Sequence, residues 1–326
     1  MSLALNNALN AVVQGDWRPT CTISVMKARA ALLANIRAFF AARDVIEVET
    51  PLLAPAPVTD PFIQAFSVSG AMYLQTSPEY AMKRLLAAGF PSMYQLAKAF
   101  RHEEVGHLHN PEFTLLEWYR IGFGLDDLMD EVDVLLQQLL TVGAARRFTY
   151  QDLFLHCLDF DPFDCTVDDL TERAKKENIN IISSQLLDKD DWLQLLFTHS
   201  IEPKMGFDVP WFVSDYPASQ AALAQLKMST HVVAERFEVY YKGFELANGY
   251  HELADPTIQT ERFLQDCEKR RLLNLPEVPI DTRLVDALSF GLPDCSGVAL
   301  GIDRLLLLQL GLQEIEEVLT FSWDRA

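Results

Sequence analysis

The sequence lacks the glycine-rich signatures that most often hold nucleotide phosphates, since neither G-x-x-x-x-G-K-[ST] nor G-x-G-x-x-G occurs. Cysteine is also scarce, with five residues and no C-x-x-C pair among 326 positions. An odd number of scattered cysteines favours free thiols in a reducing compartment over disulfides or a zinc site. A P-loop and a Rossmann fingerprint are therefore excluded, and any bound nucleotide triphosphate has to be held by side chains and metal.

Long apolar runs and positive charge are scarce as well. No run approaches the roughly 20 apolar residues that span a bilayer, and the first cation of the chain is Arg18, so no basic leader precedes an apolar segment. We therefore expect a cytoplasmic protein with no membrane segment. Lys and Arg number 27 against 46 Asp and Glu, a net charge of −19, which disfavours a broad surface for nucleic acid such as tRNA.

Hydrophobic periodicity predicts helices separated by widely spaced strands. Strands are predicted where apolar and polar residues alternate or a turn follows, at residues 45–50, 93–101, 113–120, 211–216, 237–241 and 244–249. Helices are predicted at residues 26–43, 126–139 with Asp126 as the N-cap, from a Thr166-x-x-Asp169 capping box, at 255–273 behind Asp255-Pro256, and after Gly301. Hairpins and helical insertions between strands indicate an α+β fold with an antiparallel sheet flanked by helices.

The predicted elements divide the chain into two parts. Residues 1–24 have no clear period and are predicted to be an N-terminal arm, and residues 25–326 form one domain. Within that domain, residues 150–205 are predicted to be a mainly helical insertion. With 49% apolar residues, the chain can bury one large core or two modest ones.

Two distant segments combine arginine with carboxylates and aromatic residues. They are Phe100-Arg101-His102-Glu103, which runs on to Glu117-Trp118-Tyr119, and Gly297-Val-Ala-Leu-Gly301-Ile-Asp-Arg304. A guanidinium fork matches phosphate oxygens and stays charged, so Arg101 and Arg304 are candidate phosphate ligands. Strand alternation puts Phe113, Glu117 and Tyr119 on one face. One interpretation is that this face forms a wall of an ATP site, in which a substrate carboxylate is activated as an adenylate. The alternative is a sheet surface with one exposed glutamate.

Several further carboxylates stand in apolar or turn-forming contexts. Glu245 and Glu252 are candidate ligands for Mg²⁺, which binds through one or two carboxylates together with substrate phosphates. Each of them, taken singly, is also typical of a solvated surface glutamate. Glu79, Glu117 and Glu252 around one pocket would select a ligand with two ammonium groups, such as lysine or an isomer of it.

These segments resemble the three signature motifs of the class II aminoacyl-tRNA synthetases. Residues 29–51 are similar to motif 1, residues 100–119 to motif 2 and residues 297–304 to motif 3. Residues 110–117 and 235–252 are similar to signatures of the lysyl-tRNA synthetases, and the resemblance covers nearly all of residues 25–326. It implies a class II synthetase-like catalytic domain that uses ATP and Mg²⁺, and a homodimer formed through motif 1.

The same resemblance implies a role for each matching position. Arg101, Glu245 and Arg304 would be catalytic, with Arg101 on the α-phosphate. The ATP-binding residues would be Arg101, His102, Glu103, Asn110, Phe113, Glu245, Leu246, Gly301 and Arg304, with adenine between Phe113 and Arg304. The residues around the amino acid would be Ser77, Pro78, Glu79, Glu117, Tyr119, Asn248, Glu252 and Ala299.

Two departures from the synthetase pattern concern the amino-acid pocket. The Gly-x-Gly-x-Gly of the synthetases reads Gly297-Val-Ala299-Leu-Gly301. The added methyl group of Ala299 is predicted to shift preference from α-lysine to a β-amino acid. Tyr250 stands where the synthetases usually have phenylalanine, and its hydroxyl needs a partner if it is buried.

Motif 1 begins near the N-terminus, at Arg29, so we expect no anticodon-binding domain. The chain therefore resembles the free-standing paralogues of lysyl-tRNA synthetase that activate (R)-β-lysine, or lysine, with ATP and transfer it to a lysine ε-amino group of elongation factor P. The alternatives are a truncated synthetase that acts on tRNA or a small amine, and a non-catalytic regulatory paralogue. A non-catalytic paralogue is expected to have lost site residues, yet Arg101, Glu245, Glu252 and Arg304 are all present.

Overall fold

The computed structural model describes residues 17–69, 71–102, 104–179 and 188–326, so most of the predicted N-terminal arm lies outside the described residues. The strands are β1 (Ile46–Glu47), β2 (Leu53–Ala54), β3 (Ser67–Val68), β4 (Met72–Leu74), β5 (Met93–Phe100), β6 (Glu112–Ile121), β7 (Arg146–Thr149), β8 (Trp211–Pro217), β9 (Leu226–Met228), β10 (Val232–Tyr241), β11 (Phe244–His251) and β12 (Cys295–Gly301). β2, β3 and β4 form a small separate sheet, and the other strands form the central sheet.

Nine α-helices occur in the described ranges and flank the sheets. They are α1 (Ile23–Ala41), α2 (Glu79–Ala87), α3 (Leu125–Leu140), α4 (Tyr150–Leu158), α5 (Val167–Lys176), α6 (Lys189–Leu196), α7 (Pro256–Leu272), α8 (Thr282–Phe290) and α9 (Ile302–Leu310). α4, α5 and α6 fall where the sequence predicts a helical insertion. Within the part of the chain that is described, none of the helices has the length and apolar character needed to cross a bilayer.

The central sheet runs in the order β1-β5-β6-β12-β11-β10-β8-β7, with β9 beside β10. Its middle strands are antiparallel, but the outer pairs β1–β5 and β7–β8 are parallel. Parallel neighbours need a long crossover connection. Here α2 and the small sheet lie in the first connection, and α4, α5 and α6 lie in the second. The α+β class is confirmed, while the antiparallel sheet is corrected to a mixed one.

Two helix starts follow the capping chemistry that the sequence predicts. The Asp255 side chain accepts hydrogen bonds from the backbone N–H groups of Thr257 and Ile258, with a proline at the first position of α7. Thr166 caps α5 in the predicted capping box. Local side-chain to backbone bonds therefore fix both boundaries.

The start of α3 differs from the prediction that Asp126 is its cap. The N-cap is Gly124, and the Asp127 carboxylate accepts a hydrogen bond from the Gly124 backbone N–H at 3.0 Å. The third residue of a helix is the one whose side chain reaches back to the N-cap. Asp126 therefore lies inside the first turn, where its charge still favours the helix dipole.

One face of the central sheet packs against α1, α3 and α9, while the opposite face, here called the open face, is covered by helices only at its two ends. Alternate residues of β6 and β12 belong to the main core, together with residues of α1, α3 and α9. Trp118 is fully buried there, and its indole N–H donates to Glu131 Oε2 at 3.0 Å. Because successive strand residues point to opposite faces, Glu117 and Ala299 lie on the open face.

Candidate active site

The open face of the central sheet is the floor of a cavity of about 630 Å³. Its walls come from the start of α2, the loop between β5 and β6, α7 and residues 58–63. Eleven of the predicted site residues line this cavity: Ser77, Glu79, Arg101, Asn110, Phe113, Glu245, Leu246, Asn248, Ala299, Gly301 and Arg304. The residues predicted for phosphate and those predicted for an amino acid therefore meet in one place.

Asp303 connects the three predicted motifs beside this cavity. It accepts hydrogen bonds from the Arg29 guanidinium of α1 and, at 2.8 Å, from the Thr114 backbone N–H of β6. The residue is only 3% exposed, so its charge is shielded from solvent and depends on these partners. The contacts hold α1, β6 and α9 in a fixed arrangement and thereby place Arg304, the next residue of α9.

Strand register sets two rows of side chains across the floor. The first row contains Glu117, Ala299, Asn248 and Glu238, on β6, β12, β11 and β10 respectively. The second row contains Tyr119, Gly297, Tyr250 and Arg236 on the same strands. The methyl group of Ala299 therefore lies between the carboxylate of Glu117 and the amide of Asn248.

Arg101 lies just past the end of β5 and faces the cavity with part of its guanidinium unpaired. One terminal nitrogen is 3.2 Å from Glu104 Oε1, and the guanidinium carbon lies 5.1 Å from the centre of the Phe113 ring. Its Nε is buried without a hydrogen-bond partner among the described residues. A buried donor of this kind costs free energy unless a ligand accepts its hydrogen bond, which fits an anionic phosphate.

Two further arginines line the same cavity. Arg304 donates to the Glu245 carbonyl oxygen at 2.8 Å and lies 2.6 Å from His109 Nε2. Burial and the charge of Arg304 lower the pKa of His109, so its neutral ring accepts this bond. Arg236 pairs with Glu238, and its Nε is another buried donor left unpaired within the described ranges. Three guanidinium groups therefore face the cavity, two of them paired with carboxylates.

Besides Glu104, the carboxylates of Glu238 and Glu245 face the cavity near these arginines. Burial and the charge of Glu238 raise the pKa of Glu245, although Arg304 opposes the rise. Burial and the charges of Glu245 and Glu238 raise the pKa of nearby Glu202 to about 7. A divalent cation would relieve this repulsion, and oxygen ligands of this type suit Mg²⁺.

Of the two candidate Mg²⁺ ligands, Glu245 lines the cavity and Glu252 does not. The two residues lie seven positions apart on an extended segment, which corresponds to roughly 20 Å at about 3.3 Å per residue. Glu252 is also buried, with Lys83 Nζ 2.5 Å from its Oε2. Glu238 lies on the neighbouring strand β10 and, like Glu245, lines the cavity.

A buried lysine lies between two of the three carboxylates predicted to surround an amino acid. Lys83 is 1% exposed, and its Nζ lies 2.7 Å from Glu79 Oε1 and 2.5 Å from Glu252 Oε2. Burial alone would lower the pKa of Lys83, but the charges of Glu252 and Glu79 outweigh it and hold the pKa above its usual value. Glu79 lines the cavity, whereas Lys83 and Glu252 lie behind its wall.

Glu117 is the third of these carboxylates and also lies just behind the lining residues. Its Oε2 accepts a hydrogen bond from Ser77 Oγ at 2.8 Å, and its Oε1 accepts one from the Tyr119 hydroxyl at 2.7 Å. Burial and the charge of Glu79 raise the pKa of Glu117 to about 8, despite both donors. At neutral pH the group is therefore mostly protonated until a cation arrives.

Two further predicted residues, Pro78 and His102, are also not among the described residues that line the cavity. Pro78 is the residue before α2 and supplies its N-cap backbone. His102 has its ring 4.9 Å from that of Phe66, and its backbone N–H donates to the Gln64 carbonyl oxygen. Glu103 lies outside the described residues.

The sequence reasoning missed four residues that complete the site: Lys83, Arg236, Glu238 and Gln259. Lys83 follows Glu79 by four positions, which is the spacing of an ion pair on a helix. This spacing could have indicated the Lys83–Glu79 contact from the sequence. Arg236 and Glu238 share one face of β10 by alternation. Gln259 gave no signal, yet it is 1% exposed, lines the cavity, and its Oε1 is buried without a partner among the described residues.

Comparison with known proteins agrees with this arrangement. The family described as tRNA synthetases class II (D, K and N) matches residues 15–325. The chain belongs to this class II tRNA synthetase family. One curated relative in it is the elongation factor P (R)-β-lysine ligase of Yersinia enterocolitica, which is 51% identical over 320 residues, 95% of this chain and 98% of that protein.

Membership of the class II tRNA synthetase family agrees with the structural context of each predicted motif. The residues similar to motif 2 run from the end of β5 through the loop into its antiparallel partner β6, and those similar to motif 3 form most of β12 and the start of α9. The residues similar to motif 1 form α1 and β1. This strand and helix order is the one that the resemblance predicts.

Proposed function

We propose that this chain is an ATP-dependent ligase that activates (R)-β-lysine as an aminoacyl-adenylate and transfers it to a lysine ε-amino group of elongation factor P. The observation that carries the proposal is the 51% identity over 95% of the chain to a protein named as elongation factor P (R)-β-lysine ligase. The cavity supports it, because one side offers guanidinium groups to a triphosphate and the other offers carboxylates to ammonium groups.

In the first step, a carboxylate oxygen of the amino acid would attack the α-phosphorus of ATP, the bond to the β-phosphate oxygen would break, and pyrophosphate would leave. Such an in-line displacement needs alignment and charge stabilisation more than covalent help. Arg101 would bind the α-phosphate, while Phe113 and Arg304 would enclose the adenine. Mg²⁺ held by Glu238 and Glu245 would supply neutralisation of phosphate charge.

In the second step, the neutral ε-amino nitrogen of the acceptor lysine would attack the carbonyl carbon of the adenylate. The carbon–oxygen bond to the phosphate would break, AMP would leave, and the nitrogen would release a proton to solvent. A free ε-amino group is the chemical requirement for this step, so the acceptor lysine must reach the cavity with its side chain extended. The net charge of −19 favours a protein acceptor over tRNA.

The test of this function separates activation from transfer. ATP–pyrophosphate exchange is measured with (R)-β-lysine and with α-lysine, and labelled amino acid is then followed into elongation factor P and into tRNA. We expect exchange with (R)-β-lysine and transfer to the protein alone. Efficient charging of tRNA without modification of the protein would show a truncated synthetase, and absence of exchange with both amino acids would show a non-catalytic paralogue.

We further infer a cytoplasmic homodimer that assembles through α1 and β1. Three apolar side chains in or beside these elements are exposed in the single chain, namely Ile23 (73%), Met26 (45%) and Ile46 (41%). Exposed apolar side chains of this kind are available to an interface. The sedimentation mass of the active protein tests this, and a monomeric mass would overturn it.

Amino-acid affinity is expected to rise with pH because of Glu117. Its pKa of about 8 leaves it mostly protonated at pH 6.5, whereas a bound ammonium group favours the ionised form. Binding therefore releases a proton below the pKa, and the dissociation constant of the amino acid should fall about tenfold between pH 6.5 and 8. Calorimetric titration checks this, with Glu117→Gln as the control whose affinity should vary much less; an equal slope in both proteins would contradict it.

Replacing Ala299 by glycine is expected to reduce the preference for (R)-β-lysine over α-lysine. The methyl group lies between Glu117 and Asn248, and one methyl group in a pocket changes discrimination by about tenfold. The ratio of kcat/KM values for the two amino acids in exchange measures the effect. Ala234→Gly, on a strand but outside the cavity lining, is the matched control, and a ratio in Ala299→Gly equal to that of the control would contradict the prediction.

A further inference from the structure

One wall of the cavity consists of α7 and residues 58–63, and none of the site residues predicted from the sequence lies on it. Thr59 joins the two segments, because its hydroxyl donates a hydrogen bond to Asp266 Oδ2 at 2.6 Å. Asp60 Oδ1 accepts a hydrogen bond from the Phe62 backbone N–H at 2.8 Å. Asp60 and Asp266 both line the cavity, so this wall offers two carboxylates that neither step of the proposed reaction uses.

The cations of the same wall are bound to other groups. Lys269 Nζ lies 3.3 Å from Asp188 Oδ2 and 3.6 Å from Asp191 Oδ1. Arg262 and Arg270 donate mainly to backbone carbonyl oxygens. Within the described ranges, none of these three cations forms an ion pair with either carboxylate of the wall. Both carboxylates can therefore bind a cationic ligand from the cavity.

The two carboxylates also affect each other. Burial raises the pKa of Asp266, the hydrogen bond from Thr59 opposes the rise, and the charge of Asp60 adds to it. Burial raises the pKa of Tyr80 as well, and the charges of Glu79, Asp266 and Asp60 add to that rise. The negative field of this wall therefore extends to Glu79, at the amino-acid end of the cavity. A ligand ammonium group would relieve the repulsion.

Gln259 is an independent indication that this wall binds a ligand. It lies on α7, is 1% exposed and lines the cavity, and its Oε1 is buried without a hydrogen-bond partner among the described residues. A buried acceptor without a partner is costly unless a ligand donates to it. Gln259 and Asp266 are seven residues apart on a helix of about 3.6 residues per turn, so they share a face roughly 10 Å apart.

Exposure increases along this wall toward solvent. Gln259 is buried, Asp266 is half-buried and Phe62 is 69% exposed. Phe62 also lines the cavity, and Lys269 Nζ lies 5.1 Å from the centre of its ring, an arrangement in which an aromatic ring attracts an ammonium group. A ring beside carboxylates fits both parts of a lysine side chain, because the methylene stem packs on apolar surface while the ammonium group binds acids.

We propose that this wall is the entry for the acceptor lysine of the second step. Its side chain passes between α7 and residues 58–63, where Asp60 and Asp266 guide the ammonium group and Phe62 packs on the methylene stem. At the buried end, Gln259 Oε1 accepts a hydrogen bond from the ε-nitrogen, and a neutral amide can bind the neutral amine that attacks the adenylate. The inference rests on the proposed function, because it takes the acceptor to be a protein lysine, and it assigns these residues to transfer and not to activation.

The experiment removes the two charges without removing the hydrogen bonds that the carboxylates accept. In Asp60→Asn with Asp266→Asn, the amide oxygens can still accept from Phe62 and Thr59, so residues 58–63 remain attached to α7. We expect KM for elongation factor P in the transfer assay to rise about 10-fold, since a charged cleft raises association rates by about 10- to 1000-fold. Neither ATP–pyrophosphate exchange nor its KM for (R)-β-lysine should change by more than about twofold.

Two measurements distinguish a guiding role from a structural one. Added salt should lower transfer by the wild-type protein more steeply than transfer by the double variant, since salt screens the attraction that the variant lacks. Hydroxylamine, a small nucleophile that is uncharged at neutral pH, should react with the preformed adenylate at equal rates in both proteins. Glu261→Gln with Glu268→Gln is the matched control, because it removes two exposed carboxylates of α7 that do not line the cavity.

The outcomes separate this inference from the proposed function. An equal KM for elongation factor P in the double variant and the wild-type protein would overturn the entry, as would an equal loss in the matched control. A rise in KM for (R)-β-lysine would also overturn it, because the carboxylates would then belong to the amino-acid site. A wild-type protein without exchange, or with exchange but no transfer to elongation factor P, would overturn the proposed function and the inference that rests on it.

Discussion

Arg101→Ala is expected to lower kcat/KM for amino-acid-dependent ATP–pyrophosphate exchange by about 100- to 1000-fold, the usual effect of removing one donor that stabilises transition-state charge. Arg101 lines the cavity, and its Nε has no hydrogen-bond partner among the described residues. That nitrogen is therefore available to bind a phosphate in the reaction. Most of the loss should appear in kcat, since charge moves onto the phosphate as pyrophosphate leaves.

The matched control for Arg101 is Lys98→Ala on the same strand. Lys98 is a half-exposed cation that pairs with Glu112 on the neighbouring strand and does not line the cavity. Surface pairs of this kind contribute little, so exchange should stay within about twofold of the wild-type rate. Unchanged exchange in Arg101→Ala would mean that the α-phosphate is bound elsewhere.

Gly297→Ala is expected to lower the free energy of unfolding by about 1–3 kcal/mol, the usual cost of an extra methyl group in a packed region, and to abolish most exchange activity. A Cβ at this position would lie 2.3 Å from Tyr119 Cε1 and 2.6 Å from Glu252 Oε1. Neither neighbour can yield easily, because Tyr119 is buried and bonded to Glu117, and Glu252 is paired with Lys83. Urea denaturation and exchange measure the two effects.

Gly301→Ala, on the same strand as Gly297, tests the effect of an added methyl group on ligand binding without the effect on packing. The nearest atom to a Cβ there is the Leu246 carbonyl oxygen at 3.9 Å, and φ of −76° suits any residue. Unfolding should therefore change by no more than about 0.5 kcal/mol, while KM for ATP rises because the methyl group enters the cavity. Equal destabilisation of the two variants would contradict the packing argument for Gly297.

Features that depend on a few neighbouring residues could be predicted from the sequence. The start of α7 at Asp255-Pro256, the hairpin β5–β6 and the face that carries Glu117 all follow from capping, turn chemistry and alternation. The family resemblance added eleven residues that line the cavity. The predictions of capping, turn and strand face succeed because the interactions that determine them lie within a few positions along the chain.

Features that depend on distant contacts could not be predicted in this way. The parallel pairs β1–β5 and β7–β8 join strands that are separated by whole helices. The sequence presents Glu245 and Glu252 together as candidate metal ligands. In the structure an extended segment separates them, and Glu252 forms an ion pair with Lys83. A lysine in an amphipathic helix is usually solvated, and only the fold brings Lys83 between two carboxylates.

Residue Trp323 touches the loop between β5 and β6, which lines the cavity. Asn110, which lines the cavity, accepts a hydrogen bond through Oδ1 from the Trp323 backbone N–H at 3.0 Å, and the Trp323 ring lies 5.9 Å from Phe66. A purification tag fused after Ala326 would begin only a few residues from this contact. Kinetic constants for ATP are therefore best compared between preparations that carry the tag at the other terminus.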